Sequence, residues 1–533
     1  MKFTLVFVTL LFLSFCQSQD YDIYFSSSVS EMVYLQRLKY LLISDLEIYA
    51  REMKSKLEIV KKAINYLEIK VKRLEVNVKN EEYHEINHFS SLRSQHFDWS
   101  QWISFMTKDV ATDAQKHIQE MRPNLPIPED FNDALGSVLL LLDVYLIEPK
   151  DFAKGLLNGK QYNSSLNPLD LYALGQYAFK NKYYKDANNW LYLTCVYFMN
   201  AEDYQINYYR FLGLQEMELS QIYAMSLLKI NNKFLAWIVV EEGLWHAPHY
   251  LKMKLIEKDF YKLTKPEKSV KRTYLSNFKN CCRGEYEHPK GLSCYYDSKD
   301  EPFLFLAPFK VEILNNLPFV AIYHDVLYDR EIEELKRLAV PTITRSTIYD
   351  YDKEGNVPVN FRTSNSVFLL NNASYLVDIL RQRVADMTHL NVFKNSSDDL
   401  QVMNYGLGGY YRYHFDFFGK DESPNKLLGD RIITVLIYMT DVQQGGATVF
   451  PALRITNFPK KGSALIFRNL DNNISPDPST LHAGCPVLFG SKWAATKWIY
   501  SAEQMFRKPC LPQNELRPYD THVIEFVNKI LGL

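Results

Sequence analysis

The apolar residues near the N-terminus follow a helical pattern. From about position 30 to 78 they recur at alternating spacings of four and three, which is typical of a coiled-coil seam. The seam consists of Met53, Leu57, Val60, Ile64, Leu67, Val71, Leu74 and Val78. Lysine and glutamate occupy the other faces, so the pattern predicts either a helix that self-associates or one long helix that packs on its own domain.

A second helical region, from about Pro168 to Met253, is crowded with tyrosine. Its small and apolar residues fall near the positions of a tetratricopeptide (TPR) helix pair, with a looser second copy from Leu219 to Pro248. The tyrosines are Tyr172, Tyr177, Tyr183, Tyr184, Tyr192 and Tyr197. They either fill the helix–helix core or line a groove for an extended polyproline II peptide, a shape that aromatic surfaces bind well.

Beyond Glu301 the pattern changes to short apolar runs separated by Gly, Asn and Asp turns, which predicts β-strands. The runs are Arg431 to Val442, Ala447 to Phe450, Ser463 to Phe467, Val487 to Phe489 and Ala494 to Tyr500. Many short strands of this kind favour a sandwich or a jelly roll. The segment from Lys265 to Arg283 is predicted to link the helical and β-rich regions.

Composition and charge exclude some classes of function. The 533 residues are 47% hydrophobic and 23% charged, as in an ordinary multidomain globular protein. The 61 Lys and Arg nearly balance the 62 Asp and Glu, so a strongly basic surface for nucleic acid is not expected.

The N-terminus is typical of a secretory signal peptide. Lys2 precedes an apolar run from Phe3 to Phe15, and cleavage is expected after about Ser18. The best later candidate for a membrane span, Leu135 to Ile147, is too short and contains Asp143. We therefore expect a lumenal or secreted chain that does not span a membrane.

The chain has 7 cysteines, of which Cys16 lies in the predicted signal peptide. An oxidising compartment favours disulfides among the others. The pairs that close short loops are Cys282 with Cys294 and Cys485 with Cys510, whereas Cys195 and Cys281 stay open between free thiols and other pairings. Glycosylation sequons begin at Asn163, Asn372, Asn395 and Asn473.

Three residues of the β-rich region are candidate ligands of one metal ion. Residues i and i+2 of a strand point to one face, so His414 and Asp416 are expected to address the same ion. His482 follows as a third ligand. Two histidines and a carboxylate on one face of an octahedron leave three positions open, as in non-haem Fe(II) oxygenases. A catalytic zinc accepts the same ligand set.

Neighbouring residues help to choose between these metals. Lys492 follows His482 close to two tryptophans, so we expect it to be buried. A buried lysine is costly unless it is paired, and a dicarboxylate keto acid bound to iron would supply the partner. By contrast, His96 and Asp98 repeat the same tripeptide in a helical region, where the two side chains would splay apart. We therefore interpret His96 as structural.

Together these residues resemble the catalytic domain of collagen prolyl 4-hydroxylase α subunits. The shared motifs are Tyr405-Gly-x-Gly-Gly-Tyr, His414-x-Asp416, Gly445-Gly-Ala-Thr-Val-Phe-Pro451, His482-Ala-Gly-Cys-Pro and Gly490-Ser-Lys-Trp. The resemblance is strong from about Phe303 to Cys510 and looser in the helical regions. Cys282-Arg-Gly-Glu is similar to the linker cysteine of that family.

The resemblance implies a procollagen-proline 4-dioxygenase. Such an enzyme uses Fe(II), O2 and 2-oxoglutarate to hydroxylate proline C4 in X-Pro-Gly peptides, releasing succinate and CO2, and ascorbate restores oxidised iron. By the same resemblance, His414, Asp416 and His482 would hold Fe(II). Lys492 would pair with the distal carboxylate of 2-oxoglutarate, and the hydroxyls of Tyr405 and Thr448 would reach that carboxylate.

The family also implies a multidomain α + β organisation. The expected parts are a signal peptide (1–18), an N-terminal helical, coiled-coil-like dimerisation region (19–150), a TPR-like domain that binds proline-rich peptide (151–260), a linker (261–302), a double-stranded β-helix (jelly-roll) dioxygenase domain (303–515) and a tail (516–533). Family α subunits join protein disulfide isomerase, the β subunit, in an α2β2 tetramer. The C-terminal Lys529 to Leu533 is not a retrieval signal, so retention in the endoplasmic reticulum lumen through that partner is expected.

One position departs from the family pattern. Many members have histidine where this chain has Tyr500, and a tyrosine cannot act as a cation there. Lysyl and prolyl 3-hydroxylases usually have arginine in place of Lys492, which disfavours those activities. The remaining alternatives are a hydroxylase of a non-collagen secreted protein and a non-catalytic subunit that binds proline-rich peptide, and the intact ligand set argues against the second.

Overall fold

The computed structural model describes residues 29–80, 84–263, 276–287, 291–298, 301–350, 355–358, 362–393, 395–418, 427–471, 473–504 and 507. These residues divide into two compact units, 30–126 and 127 onward. The predicted signal peptide, Cys510 and the predicted tail lie outside the described residues. No helix within these ranges is both long and apolar enough to cross a bilayer.

The first unit is helical, as predicted. It comprises α1 (Val29–Lys79), α2 (Glu85–Arg93), a π-helical turn (Ser94–Asp98), α3 (Trp99–Thr107), α4 (Thr112–Met121) and a 3-10 turn (Arg122–Asn124). The shorter helices fold back on α1, where Asp45 contacts His117 at 2.7 Å. Much of the predicted seam stays exposed, including Leu57, Ile64 and Val71.

The second unit begins with a helical array. Its elements are α5 (Pro128–Tyr145), α6 (Pro149–Ala153), β1 (Leu156–Leu157), β2 (Lys160–Gln161), α7 (Pro168–Lys180), α8 (Tyr184–Met199), α9 (Asp203–Phe211), α10 (Glu216–Lys229), α11 (Lys233–His246) and α12 (Leu251–Leu263). Asn167 caps α7 by accepting from the backbone N–H groups of Leu169 and Asp170, and Pro168 suits the first helical position. Helix α7 packs against α8, and α10 packs against α11.

The tyrosines of α7 and α8 do not share one environment. Tyr172 is buried in the core that contains Trp190, and Tyr184 is buried against Phe179, whereas Tyr192 is 54% exposed. Tyr177, Tyr183 and Tyr197 are half-buried. Part of the cluster therefore fills the helix–helix core, and part of it presents ring surface to solvent.

The rest of the second unit is built on antiparallel strands with three helices. The helices are α13 (Ser276–Arg283), α14 (Asp329–Ala339) and α15 (Tyr375–Thr388). The strands are β3 (Cys294–Asp297), β4 (Phe309–Asn315), β5 (Val320–His324), β6 (Thr344–Arg345), β7 (Thr347–Asp350), β8 (Gly355–Pro358), β9 (Asn365–Leu369), β10 (Leu400–Tyr405), β11 (Tyr411–His414), β12 (Arg431–Tyr438), β13 (Gln444–Gly445), β14 (Thr448–Phe450), β15 (Ile455–Asn457), β16 (Ala464–Arg468), β17 (His482–Gly484), β18 (Val487–Phe489) and β19 (Lys492–Tyr500).

Two sheets carry the site. The larger sheet has the order β3-β4-β5-β16-β12-β19-β10-β9-β6, and the smaller one has the order β11-β17-β14-β15. Side chains alternate along β12: Val435 and Ile437 join the apolar core with Leu335 of α14 and Leu380 of α15. Thr434 and Leu436 line a cavity on the other face. The predicted β-rich region is therefore confirmed, and the two faces of its central strand have different roles.

Helices α5 and α13 support the back of the smaller sheet. Leu140, Val144 and Phe278 form a core with Val449 and Ala483, which lie next to Thr448 and His482 in the chain. The Tyr145 hydroxyl donates to Pro486 O at 2.6 Å. The predicted linker thus includes a helix that packs beneath the candidate site.

The predicted disulfides are wrong, because Cys282 of α13 is bonded to Cys485. Cys294 is an exposed thiol on β3, a strand at the edge of the larger sheet. The packing of α13 on β14 brings Cys282 to Cys485, so the bridge spans a sequence separation of 203. Loop length therefore gave no guide to this pairing. Cys195 and Cys281 are free thiols.

Candidate active site

The three predicted metal ligands lie together between the two sheets. His414 ends β11 and is the direct cross-strand partner of His482, which begins β17. Asp416 Oδ1 lies 3.6 Å from His414 Nε2, and Asp416 Oδ2 lies 3.6 Å from His482 Nε2. Among the residues that the structure describes, these three form the one group of ligand atoms within 4.8 Å of one another that could hold a metal.

Backbone contacts orient both imidazoles toward a common point. His414 Nδ1 lies 2.8 Å from Arg412 O, and His482 Nδ1 lies 3.0 Å from Thr480 O. A carbonyl oxygen only accepts, so each Nδ1 carries the proton and each Nε2 presents a lone pair. This is the tautomer that a metal ion requires, and its orientation is built into the backbone.

Electrostatics keep the ligand atoms in their metal-binding protonation states. Burial opposes ionisation of Asp416, but the nearby rings of His482 and His414 hold the pKa of its carboxyl well below the usual range. Burial lowers the pKa of His482 to about 4, although Asp416 opposes this shift. The site therefore presents a carboxylate and a neutral His482 near neutral pH.

Asp416 lies outside the strand that was predicted to carry it. Strand β11 ends at His414, so Asp416 lies in a bend beyond it and not at position i+2 of a continuous strand. The carboxylate is held there by other residues: the Thr434 hydroxyl donates to Oδ2 at 2.7 Å, and Arg431 Nη1 lies 3.4 Å from its backbone oxygen.

Lys492 lies at the inner end of the same cavity, which has a volume of about 340 Å³. The side chain is 4% exposed, and burial lowers its pKa to about 7. Its ammonium donates to Thr448 Oγ1 at 3.4 Å and lies 5.6 Å from the ring centroids of Tyr405 and Tyr438. No carboxylate among the described residues pairs with it. A buried cation of this kind is suited to an anionic ligand.

Thr448 and Tyr405 flank this lysine from different sheets. Thr448 Oγ1 accepts from Tyr438 at 2.9 Å as well as from Lys492. With both lone pairs engaged, its own O–H is left to donate into the cavity. Tyr405 is the cross-strand partner of Lys492, and its hydroxyl is 3.7 Å from Met403 Sδ. Both predicted residues thus line the cavity beside the lysine.

Several cavity residues were not found from the sequence. Arg362 lies over the Tyr411 ring at 4.8 Å and donates to Gln401 Oε1 at 3.1 Å. Arg431 lies over the Trp498 ring at 4.1 Å. Arg362 sits between strands, where no period in the sequence marks it. The residues that follow it, Thr363 and Ser364, are also buried, but their polar side chains do not predict burial from the sequence.

Neither the duplicate His96-Phe97-Asp98 tripeptide nor Tyr500 belongs to the candidate ligand cluster among the described residues. His96 is exposed in the π-helical turn, and Asp98 pairs with Arg93 at 2.8 Å. The structural interpretation of His96 agrees with this position. Tyr500 donates to Asp398 Oδ1 at 2.7 Å, and Asp398 Oδ2 binds Arg431 at 2.8 Å. Tyr500 therefore positions Arg431 indirectly, through Asp398. It is not among the residues that line the cavity.

Two family descriptions match parts of the chain. Residues 28–159 match the N-terminal region of the prolyl 4-hydroxylase α subunit. Residues 400–500 match the 2OG-Fe(II) oxygenase superfamily, and this second range contains all three candidate metal ligands and Lys492.

Curated relatives match almost the whole chain. Prolyl 4-hydroxylase subunit alpha-1 of Homo sapiens is 31% identical over 91% of this chain and 95% of its own length. Prolyl 4-hydroxylase subunit alpha-2 of Caenorhabditis elegans is 32% identical over 81% of this chain and 83% of its own length. A solved viral collagen prolyl hydroxylase from Paramecium Bursaria Chlorella virus-1, in complex with 2OG, is 24% identical and covers 34% of this chain and 96% of its own, with a TM-score of 0.29. The full-length relatives therefore carry the comparison.

Proposed function

This chain belongs to the family of prolyl 4-hydroxylase α subunits and is an Fe(II)- and 2-oxoglutarate-dependent proline dioxygenase, and from this premise we propose how its residues perform that reaction. Ascorbate is the reductant typical of the family. The observation that carries the proposal is that one cavity is lined both by the His414, Asp416 and His482 cluster and by Lys492, a buried lysine with no carboxylate partner among the described residues.

His414, Asp416 and His482 fit Fe(II) in chemistry and in orientation. Two neutral imidazoles and one carboxylate match the facial ligand set that leaves positions open for other ligands. Bound iron, with 2-oxoglutarate and O2, supplies the oxidation of the substrate C–H bond. The protein residues keep both Nε2 atoms and the carboxylate directed at one point, and they close that point off between two sheets.

Lys492 orients the cosubstrate. Its ammonium and the Thr448 hydroxyl offer a charge-assisted contact and a hydrogen bond to the distal carboxylate of 2-oxoglutarate. Tyr405 lines the cavity beside Lys492, and its hydroxyl is the second group proposed to reach that carboxylate. Since the lysine has no carboxylate partner among the described residues, binding of the dicarboxylate supplies a counter-charge for the buried ammonium.

The experiment that tests the proposal is 2-oxoglutarate decarboxylation by the purified complex, with and without a (Pro-Pro-Gly)-type peptide. We expect succinate release to rise with the peptide and 4-hydroxyproline to form in proportion to succinate. Turnover only with another proline-rich secreted protein would favour a non-collagen substrate. Peptide binding without any decarboxylation would favour a non-catalytic subunit.

The tyrosine-rich helices α7 to α12 are proposed to bind the proline-rich substrate away from the iron, as a TPR-like domain. Support comes from exposed rings on this array, namely those of Tyr192, Tyr204 and Tyr208. Polyproline II chains lose little conformational entropy when they dock on such surfaces. The affinity is expected to be about micromolar or weaker, because the contact is small.

Replacing Tyr192, Tyr204 and Tyr208 together by serine should raise KM for long (Pro-Pro-Gly)-repeat peptides by about tenfold, which corresponds to about 1.4 kcal/mol. The peptide-independent decarboxylation should be unchanged, because the iron site is untouched. Steady-state kinetics with peptides of increasing length measure the effect. Tyr375→Ser is the matched control, since Tyr375 is also exposed but lies on α15. An unchanged KM in the triple variant would leave this array as scaffold.

The organisation of the chain follows the family in this proposal. The exposed seam of α1 suits self-association. The proposed assembly is an α2β2 tetramer with protein disulfide isomerase as the β subunit. The Cys282–Cys485 disulfide supports an oxidising compartment, which we take to be the endoplasmic reticulum lumen. The two facing antiparallel sheets support a double-stranded β-helix. Asn163, Asn372 and Asn395 are exposed and are proposed glycan acceptors.

A further inference from the structure

A chain of three buried polar residues ends on the carboxylate of Asp416. Asn469 Nδ2 donates to Thr434 Oγ1 at 2.9 Å, and Thr434 Oγ1 donates to Asp416 Oδ2 at 2.7 Å. Thr434 and Asn469 are 1% and 0% exposed. Thr434 lies on β12, and Asn469 follows β16, the neighbouring strand in the larger sheet. These hydrogen bonds therefore connect the centre of the larger sheet to the bend that carries Asp416.

The direction of each hydrogen bond follows from the chemistry of the groups. An ionised carboxylate only accepts, so the single hydroxyl hydrogen of Thr434 must point at Asp416. The remaining Thr434 lone pairs need a donor, and the Asn469 amide N–H supplies it. The backbone holds Asn469 in place, since its N–H donates to Ile432 O at 2.9 Å and its carbonyl accepts from Asp477 N at 3.0 Å.

We propose that Thr434 and Asn469 are positioning residues: the Thr434 hydrogen bond to Asp416 Oδ2, held in place by Asn469, fixes the rotation of the carboxylate so that Oδ1 is the oxygen that binds the metal. Asp416 lies in a bend after β11, so its own strand does not fix the rotation of its carboxylate. Monodentate binding keeps open the positions that the cosubstrate and O2 need. This inference rests on the proposed metal site and adds to it the residues that set how Asp416 binds.

Thr434→Val removes the hydroxyl at almost constant volume, and Thr434→Ser keeps it. In the full-length protein under anaerobic conditions, Thr434→Val should raise the Fe(II) Kd by about 10- to 100-fold, the range for outer hydrogen-bond partners of metal ligands. Thr434→Ser should bind Fe(II) nearly as the parent does, and Asn469→Ala should show a smaller rise, because it acts through Thr434. Thr194→Val is the control: it removes another buried threonine hydroxyl, one that donates to Trp190 O within α8.

Two readouts separate positioning from folding. The metal-free Tm of Thr434→Val should stay near the parent value while the Tm rise on adding Fe(II) shrinks. The absorption of bound Co(II), which reports coordination number, should change in Thr434→Val and not in Thr434→Ser, because the freed Oδ2 can then also bind the metal. If Thr434→Val fails to fold, Thr434→Ser and Asn469→Ala carry the same comparison.

Parent-like Fe(II) affinity and Co(II) spectra in Thr434→Val would overturn the inference, as would equal losses in Thr434→Val and Thr434→Ser. His482→Ala distinguishes this outcome from failure of the metal site itself. If His482→Ala loses metal and Thr434→Val does not, only the positioning role fails. If neither variant loses metal, the proposed site fails.

Discussion

His482→Ala is expected to lose both Fe(II) binding and proline hydroxylation. His482 is one of three candidate ligands and is buried against Phe467, with ring centroids 4.7 Å apart. Among the described residues the cluster contains no fourth candidate ligand that could replace it. Loss of an outer hydrogen-bond partner alone costs about 10- to 100-fold in metal affinity, and loss of a ligand should exceed about 100-fold. Anaerobic Fe(II) titration and 4-hydroxyproline formation measure the two effects.

His96→Ala is the internal control for that experiment, since His96 belongs to the same His-Phe-Asp tripeptide. Its side chain is exposed in the first helical unit and belongs to no candidate metal cluster among the described residues. We expect unchanged Fe(II) binding and turnover. Full hydroxylation by His482→Ala, or loss of metal in His96→Ala, would contradict the assignment.

The ligands were predictable because their chemistry is local in the sequence. The His-x-Asp tripeptide, a later histidine and a lysine among tryptophans each leave a short pattern, although the strand itself ends at His414. The later strands were predictable for the same reason, and Val487–Phe489 has the predicted bounds. The run from Arg431 was predicted to reach Val442, but β12 ends at Tyr438. Thr440 leaves the ladder because its hydroxyl bonds to Ser491 O and to the Trp493 N–H.

Other elements left no local pattern. Strand β10 is buried along its whole length but contains Gln401 and Asn404, which break an apolar run. Their polar groups are satisfied by Arg362 and Ser491, which are distant in the sequence. The Cys282–Cys485 disulfide and the Thr434–Asp416 contact likewise depend on packing between separate elements. Such contacts follow from the tertiary fold, so composition and spacing do not reveal them.

The contacts of Tyr500 show what this tyrosine does in place of the family's histidine. Its hydroxyl binds Asp398, which in turn holds Arg431 against Trp498 and Phe418. The charge near this part of the cavity therefore comes from Arg431. Tyr500 acts as a neutral hydrogen-bond donor to Asp398, a role that does not require a cation.

Lys492→Ala is expected to raise the KM for 2-oxoglutarate by about 10- to 100-fold, because a hydrogen bond to a charged group contributes about 1.5–3 kcal/mol. Fe(II) affinity should change far less, since Lys492 is not one of the candidate metal ligands. Lys497→Ala is the matched control. Lys497 is a buried lysine on the same strand, but it donates to Asn371 Oδ1 at 2.7 Å and is not among the residues that line the cavity. Its loss should lower Tm and leave that KM unchanged.

The pH dependence gives a second, independent test of Lys492. Burial lowers its pKa to about 7 in the free protein, and a bound carboxylate raises the pKa again. Below about pH 7 the lysine is already charged, so affinity for 2-oxoglutarate is at its full value. Above it, binding must take up a proton, and affinity should fall by up to about tenfold per pH unit. This slope should vanish in Lys492→Ala and persist in Lys497→Ala; a parent protein whose KM for 2-oxoglutarate is flat from pH 6 to pH 9 would show that Lys492 does not anchor the cosubstrate.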